Sequence, residues 1–310
     1  MNKTQQYIQE GKDRFLNDLI DILKIPSVSA DSNHDEDTRT CANWVKNSMD
    51  QIGLSNTQLF ETPGHPIVFG EVIVNSSLPT VLVYGHYDVQ PADPIELWAS
   101  PPFEPVIKEG NVYARGAADD KGQFYMYFAA LKCMIEANEV PCNIKVLIEG
   151  EEEVGSVNLE NFVNNNLELL SNDVILISDT HMLSNEDPSI TAGLKGLAYM
   201  EVEITGPNRD LHSGTYGGSV ANPINTLCKM IASLTNEDNQ ITIPEFYDKV
   251  IEVSPEHRAE MARAPFDLEK YKQSIDIAEE QGEKGYSTPE RLGIRPTLDV
   301  NGIWGGYIGE

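Results

Sequence analysis

Thr80 to Gln90 reads Thr-Val-Leu-Val-Tyr-Gly-His-Tyr-Asp-Val-Gln. The first five residues are β-branched or aromatic apart from Leu82, which predicts an interior strand covered on both faces. His86 and Asp88 follow at the strand end, where ligands bind in open α/β sheets. In an extended chain both side chains point to one side, so Asp88 can accept a hydrogen bond from one imidazole nitrogen while the other faces a metal ion.

The composition narrows the class of protein. A chain of 310 residues is long enough for two domains. Its 22 basic and 49 acidic residues give a net charge of -27, which repels phosphate backbones and anionic membranes, so we expect no nucleic-acid or membrane partner. The four cysteines have no C-x-x-C spacing, which favours buried free thiols in a reducing compartment. With no apolar signal peptide or membrane-length apolar run, we expect a soluble cytoplasmic protein.

Strands and helices alternate along the first part of the chain. Apolar patterns predict strands at 67–74, 80–84, 143–148 and 173–177, and helices at 15–23, 41–52, 122–136 and 158–170. This order predicts an α/β domain with a largely parallel sheet. After residue 194 the pattern changes: positions 199–205 alternate as in a half-exposed antiparallel strand, and 252–284 reads as a charged, solvated stretch.

Three further acidic segments follow predicted strands or begin predicted helices. Residues 115–122 contain Asp119 and Asp120, residues 149–156 carry four carboxylates in five positions, and Asp179 follows another strand. Carboxylates crowded at one sheet edge repel one another unless cations lie between them. One imidazole with several carboxylates, and no cysteine, suits zinc or manganese better than calcium.

Two metal ions that share a bridging aspartate would use this many ligands. Such ions, about 3.5–4 Å apart, activate a water and polarise a carbonyl. A glutamate that is not a ligand then moves the proton from the water to the leaving amine, and Glu149, Glu151 and Glu152 compete for that role. Taken singly, the acidic clusters are also explained as helix N-terminal acids, and Asp179 as a turn residue.

Four motifs, in this order and at these separations, resemble the co-catalytic metallopeptidases. They are His-Tyr-Asp-Val-Gln (86–90), Gly-Ala-Ala-Asp-Asp-Lys-Gly (116–122), Glu-Glu-x-Gly-Ser (152–156) and Ile-Ser-Asp (177–179). The family includes carnosinase, cytosolic nonspecific dipeptidases, glutamate carboxypeptidases and acetylornithine deacetylase. The resemblance is strongest to the carnosinase and nonspecific-dipeptidase branch, which implies hydrolysis of dipeptides or small peptides. A deacylase of N-acyl amino acids, or a carboxypeptidase, is the alternative.

The resemblance implies a role for each residue of the metal site, which would hold two divalent ions, zinc or manganese. His86 and Asp179 would be terminal ligands of one ion. Asp119 would bridge both ions, and Glu153 would bind the second. The family pattern also implies a cis peptide bond between Asp119 and Asp120.

The remaining roles implied by the resemblance concern catalysis and assembly. Glu152 would be the general base, and Asp88 would orient His86. His212 matches a histidine of the family's inserted domain that enters the site of the partner subunit, so it is implied as a substrate-binding oxyanion stabiliser in a homodimer.

Compared with the family, the chain is expected to be a C-terminally truncated fragment. Residues 1–194 would be the N-terminal portion of a mostly parallel-sheet α/β catalytic domain, and 195–310 part of an inserted α+β lid or dimerisation domain. Family members continue to a last histidine that binds the second metal ion, and no residue here replaces it by position. We therefore expect these residues alone to hold at most one ion well and to hydrolyse dipeptides poorly. A natural end at residue 310 would favour a non-catalytic metal-binding or dimerisation module.

Overall fold

The protein is represented by a computed structural model that describes residues 2–182, 187–191 and 193–307. The chain divides into two compact units, Met1–Thr180 and His181–Glu310. The predicted division into a catalytic domain ending at residue 194 and a lid domain after it stays a prediction. In the described part of the chain, no helix has the length and apolar character needed to cross a bilayer.

The first unit has an α/β order of elements. Its helices are α1 (Lys3–Glu10), α2 (Lys12–Leu23), α3 (Asp35–Ile52), α4 (Lys121–Ala137) and α5 (Leu159–Asn165). Its strands are β1 (Ser55–Phe60), β2 (Ile67–Val72), β3 (Thr80–His86), β4 (Val106–Lys108), β5 (Asn111–Tyr113), β6 (Asn143–Glu149) and β7 (Val174–Ile177). Each predicted helix or strand of this unit corresponds to one of these elements, although α5 ends five residues before the predicted position.

Five strands form a mixed sheet in the order β1-β2-β6-β3-β7. β3 is parallel to both β6 and β7, whereas β2 is antiparallel to β1 and β6. Four of the five strands therefore point in one direction, which confirms the mainly parallel sheet. The carboxyl ends of β3, β6 and β7 meet at one edge, because His86 pairs with Glu149 and Tyr84 with Ile177.

The core lies on both faces of this sheet, as the alternation of side chains along a strand requires. On one face Val83, Val146 and Ile148 pack in a cluster with residues of α3 and α4. On the other face Leu82 and Leu147 pack in a second cluster with Phe162 of α5. Helix α3 ends as predicted at Gly53, whose φ of 95° is a left-handed conformation that suits glycine.

Gly85 lets the start of α4 approach β3 closely. A Cβ atom at this position would lie 2.6 Å from Asp120 Oδ2 and 2.9 Å from Cβ of the buried Phe124. We expect Gly85→Ala to lower the free energy of unfolding by about 1–3 kcal/mol, because the core would have to shift. Urea unfolding of the metal-free protein measures this. Gly196→Ala is the control, since nothing lies within 4 Å of its added Cβ. Equal stability of the two variants would contradict the close approach.

The second unit contains short helices: α6 (Ser213–Tyr216), α7 (Pro223–Ala232), α8 (Pro255–Met261), α9 (Leu268–Ser274) and α10 (Thr288–Gly293). Glu283, in the charged stretch 252–284 that was predicted to be solvated, forms a buried ion pair with Arg295. Arg295 donates from Nε and Nη2 to the two carboxylate oxygens of Glu283 at 2.7 and 2.8 Å, and both side chains are less than a tenth exposed. The Arg295 guanidinium also lies 4.4 Å from the ring centre of Tyr286.

Three sequence-based expectations were wrong or incomplete. Residues 199–205 form no strand, and Met200 and Val202 are exposed. Among the described residues, the segment has no neighbouring strand with which its backbone could form hydrogen bonds. The hairpin of β4 and β5 and the strand β1 were not predicted, because their side chains lack a clear apolar period. All four cysteines are free, but only Cys41 and Cys133 are buried, while Cys142 is half-buried and Cys228 is exposed.

Candidate metal centre and active site

The candidate site lies at the sheet edge where β3, β6 and β7 end. His86 is the last residue of β3, and the 3-10 turn Glu152–Val154 follows β6 after two residues. Asp179 comes two residues after β7. Asp119 lies just before α4, whose first residue is Lys121, and the peptide bond between Asp119 and Asp120 is cis, as the resemblance implied. Segments distant in the sequence thus meet because parallel strands end together.

His86 is the centre of the cluster and is fully buried. Its Nδ1 lies 3.1 Å from the carbonyl oxygen of Asp88 and 3.3 Å from Asp88 Oδ1. A carbonyl oxygen can only accept, so Nδ1 carries a proton and Nε2 is the nitrogen that faces the acidic side chains. This is the arrangement found in metal-binding histidines, where one nitrogen is held by an oxygen and the other is the ligand.

Carboxylates from three segments surround Nε2 of His86. Asp119 Oδ1 lies at 3.1 Å, Asp179 Oδ2 at 3.6 Å and Glu152 Oε2 at 3.9 Å. Two groups of side chains each offer potential ligand atoms that lie within 4.8 Å of one another inside the group. One group is His86, Asp119 and Asp179, and the other is His86, Glu152 and Glu153. The structure therefore places Asp119, Glu153 and Asp179 near His86, as the resemblance implied, and their role as metal ligands stays a prediction.

Asp88 ties the strand end to the Glu152–Val154 turn. Its Oδ1 accepts a hydrogen bond from the backbone N–H of Glu152 at 3.2 Å, and its Oδ2 accepts from that of Glu153 at 3.1 Å. Ser29 donates its hydroxyl to Asp88 Oδ2 at 2.6 Å. The buried Asp88 carboxylate thus fixes the His86 ring and the acidic turn together. Neither the contact to the turn nor that of Ser29 could be predicted from local sequence patterns, because these hydrogen bonds join segments about 60 residues apart.

The environments of the three competing glutamates differ. Glu149 is buried, and its Oε1 accepts from the hydroxyls of Tyr84 at 2.5 Å and Ser156 at 2.8 Å. Both Glu151 oxygens accept from the side-chain amide of Asn158, at 3.0 and 2.8 Å. Glu152 has a side chain that is 37% exposed and points its Oε2 toward His86. It is the one of the three that both faces the cluster and can be reached from solvent.

Electrostatics show that the cluster suits cations. Burial opposes protonation of His86, but hydrogen bonds to Asp119 and Asp88 outweigh it and raise its pKa to about 11. Burial also raises the pKa of Glu152, an effect that the His86 charge opposes and the charges of Asp179 and Glu153 strengthen. Crowded carboxylates that resist ionisation, together with one imidazole, form a donor set that fits divalent metal ions.

Asp120 and Lys121 hold the start of α4 against the end of β3 and the end of α2 through hydrogen bonds. Asp120 Oδ2 accepts a hydrogen bond from the backbone N–H of His86 at 3.0 Å, and its Oδ1 is buried without a hydrogen-bond partner. Burial raises the pKa of Asp120 to about 7, although the bond from His86 lowers it. The buried Lys121 donates to the carbonyl oxygens of Ile22 at 3.3 Å and Ile25 at 2.7 Å, which anchors α4 to the end of α2.

The remaining predicted site residue, His212, belongs to the second unit. It is exposed and precedes α6, and its Nδ1 accepts a hydrogen bond from the backbone N–H of Gly214 at 3.0 Å. This bond leaves the proton of a neutral imidazole on Nε2, where it can be donated. In the first unit, Trp98 donates to the carbonyl oxygen of Ala92 at 2.9 Å, and its ring centre lies 5.3 Å from the Arg115 guanidinium.

The chain is similar in sequence to proteins that are named as dipeptidases. The Cys-Gly metallodipeptidase dug1 of Schizosaccharomyces pombe is 32% identical over 329 residues, covering 100% of this chain and 68% of that protein. The Beta-Ala-His dipeptidase of Homo sapiens is 33% identical over 248 residues, covering 79% of this chain and 49% of that protein. The chain thus spans between half and about two thirds of these relatives.

A solved structure extends the similarity to the fold. The crystal structure of an M20 family metallo-carboxypeptidase from Sulfolobus solfataricus superposes with a TM-score of 0.80 at 35% identity, covering 96% of this chain and 67% of that one. The sequence profile described as Peptidase family M20/M25/M40 matches residues 82–302, a range that contains His86, Asp119, Glu152, Glu153 and Asp179. The predicted family, peptidase class and fold class are thereby confirmed, and the chain belongs to Peptidase family M20/M25/M40.

Proposed function

We propose that this chain carries the metal-dependent active site of a dipeptidase, which hydrolyses the amide bond of dipeptides or small peptides. The observation that carries the proposal is the convergence of Asp119, Glu152 and Asp179 on Nε2 of His86, all within 3.9 Å. Support for a dipeptide substrate comes from the relatives, which are named as a Cys-Gly metallodipeptidase and a Beta-Ala-His dipeptidase.

The metal ions in this proposal are two divalent cations, zinc or manganese. His86 and Asp179 would hold one ion, Asp119 would bridge both, and Glu153 would bind the second. When bound, such ions supply an activated water and a polarised peptide carbonyl. The donor set of one imidazole and several carboxylates without cysteine supports zinc or manganese over softer metals.

Glu152 is proposed as the general base and then the general acid. Its carboxylate would accept a proton from water and donate it to the nitrogen of the leaving amine, which conserves the proton over the reaction. A carboxylate whose pKa is raised by burial holds that proton better near neutral pH than an ordinary glutamate does. Asp88 holds the Glu152 backbone in place, which supports a fixed direction of approach.

His212 of a second copy of the chain is proposed to stabilise the oxyanion and to contact the substrate. The hydrogen bond from Gly214 to its Nδ1 supports this role, because Nε2 then remains a donor. The proposal requires a homodimer formed through residues 195–310, and light scattering of the purified chain would measure its mass. A cytoplasmic location stays part of the proposal and is supported by the free cysteines.

A substrate panel tests the proposed function. We expect the purified chain, given manganese or zinc, to release amino acids from free dipeptides slowly and only when metal is present. N-acyl amino acids and longer peptides with a free carboxyl end should be cleaved more slowly, and chelator should stop the reaction. Faster cleavage of N-acyl amino acids would favour a deacylase instead. Faster removal of single residues from longer peptides would favour a carboxypeptidase, the activity named for the Sulfolobus solfataricus structure.

A further inference from the structure

The last residue of β3 and the segment that follows it contact the turn Glu152–Val154 through every second residue. His86 Nε2 lies 3.9 Å from Glu152 Oε2, and Asp88 accepts from the backbone N–H groups of Glu152 and Glu153. Two positions further, the side-chain amide of Gln90 donates to Glu153 Oε2 at 2.8 Å and to the Glu153 carbonyl oxygen at 3.3 Å. Contacts at positions 86, 88 and 90 have the period of two that places side chains on one side of an extended chain.

We infer that Gln90 is a positioning residue that sets the direction of the Glu153 carboxylate, an inference that rests on the proposed role of Glu153 as a metal ligand. The terminal torsion of a glutamate is broad, so a free carboxylate samples many directions. An amide has two N–H donors, and Gln90 uses its amide nitrogen for one oxygen of the Glu153 side chain and for its backbone carbonyl. Side chain and backbone of Glu153 are thereby held by the same group.

The chemistry of an amide suits this task better than that of a charged residue. A lysine or arginine at position 90 would neutralise Glu153 and compete with a cation for its charge. The neutral amide occupies one oxygen and leaves the negative charge of the carboxylate for a metal ion. Partners of this kind, which orient a ligand without binding the metal, typically change metal affinity 10–100-fold when they are removed.

Gln90 is exposed, so its role can be separated from folding. The experiment measures Mn²⁺ binding to the whole chain by the electron paramagnetic resonance signal of free Mn²⁺. We expect Gln90→Leu to lower the apparent affinity for the ion that Glu153 would bind, the more weakly held of the two, about tenfold, with an unchanged Tm of the metal-free protein. The control is Gln58→Leu on β1, because Gln58 is also exposed and also donates its amide, to Asn56 Oδ1 at 2.6 Å, away from the carboxylates. It should bind Mn²⁺ as the unsubstituted chain does.

Glu153→Gln separates this inference from the proposed function. If Glu153→Gln weakens Mn²⁺ binding and Gln90→Leu does not, the positioning role of Gln90 is overturned while the metal site stands. If Glu153→Gln binds Mn²⁺ as tightly as the unsubstituted chain, the ligand role of Glu153 is overturned, and the inference about Gln90 falls with it. A loss of affinity in both variants, with the Gln58→Leu control unchanged, supports the inference.

Discussion

Replacing Glu152 by glutamine should lower kcat for dipeptide hydrolysis by about 10²–10⁴-fold while the protein still binds metal. Glutamine has the size of glutamate but its amide cannot accept the proton of a water molecule. The backbone N–H of residue 152 would still donate to Asp88, so the turn should keep its conformation. The measurement is the initial rate on a dipeptide at saturating Mn²⁺, together with metal content by mass spectrometry.

The structure makes this test discriminating, because Glu152 also belongs to a possible ligand set with His86 and Glu153. If Glu152 were a ligand, its replacement would reduce metal content and activity together. Glu151→Gln is the matched control, because the Glu151 carboxylate accepts hydrogen bonds from the Asn158 side chain, whereas that of Glu152 faces His86. It should keep most of the rate. Normal turnover in Glu152→Gln would rule out Glu152 as the base.

That His86, Glu152, Glu153 and Asp179 lie close together could be predicted from the sequence, because each of them follows an apolar run that predicts a strand. The apolar run of β3 ends in His86, that of β6 leads to Glu152 and Glu153, and that of β7 leads to Asp179. Parallel strands then bring these ends to one edge, so the order of elements is enough to predict that the residues meet. The cis bond between Asp119 and Asp120 came from the family resemblance and not from any local pattern.

The contacts that hold the site together could not be predicted in this way. Ser29 and Gln90 bond to residues about 60 positions away, and which carboxylate oxygen they reach depends on the path of the connecting loops. From the residues alone the choice among Glu149, Glu151 and Glu152 stayed open, and the family resemblance pointed to Glu152. The hydroxyl and amide donors that hold the other two carboxylates support that proposal and depend on the fold. The strand predicted at 199–205 is not formed. Its side chains alternate as in a strand, but a local alternation does not ensure that a neighbouring strand is there to pair with.

The affinity for metal should rise about tenfold per pH unit between pH 6 and pH 8. Burial opposes protonation of His86, but its hydrogen bonds to Asp119 and Asp88 raise its pKa to about 11, so the metal-free protein holds a proton there throughout this range. A metal ion needs the neutral imidazole and must displace that proton. Each unit of lower pH therefore makes the competing proton ten times more concentrated, and affinity falls as pH falls.

Calorimetric titration with Zn²⁺ in buffers of different ionisation enthalpy measures the released protons directly, and we expect about one from His86 for the first ion bound. His86→Gln should bind weakly and lose this proton release. His34→Gln is the control, because His34 pairs with Asp37 at 2.8 Å and takes no part in the cluster. It should keep both affinity and proton release. Binding that is independent of pH from 6 to 8 would mean that His86 is already neutral in the metal-free protein, and that the surrounding carboxylates hold their charge without it.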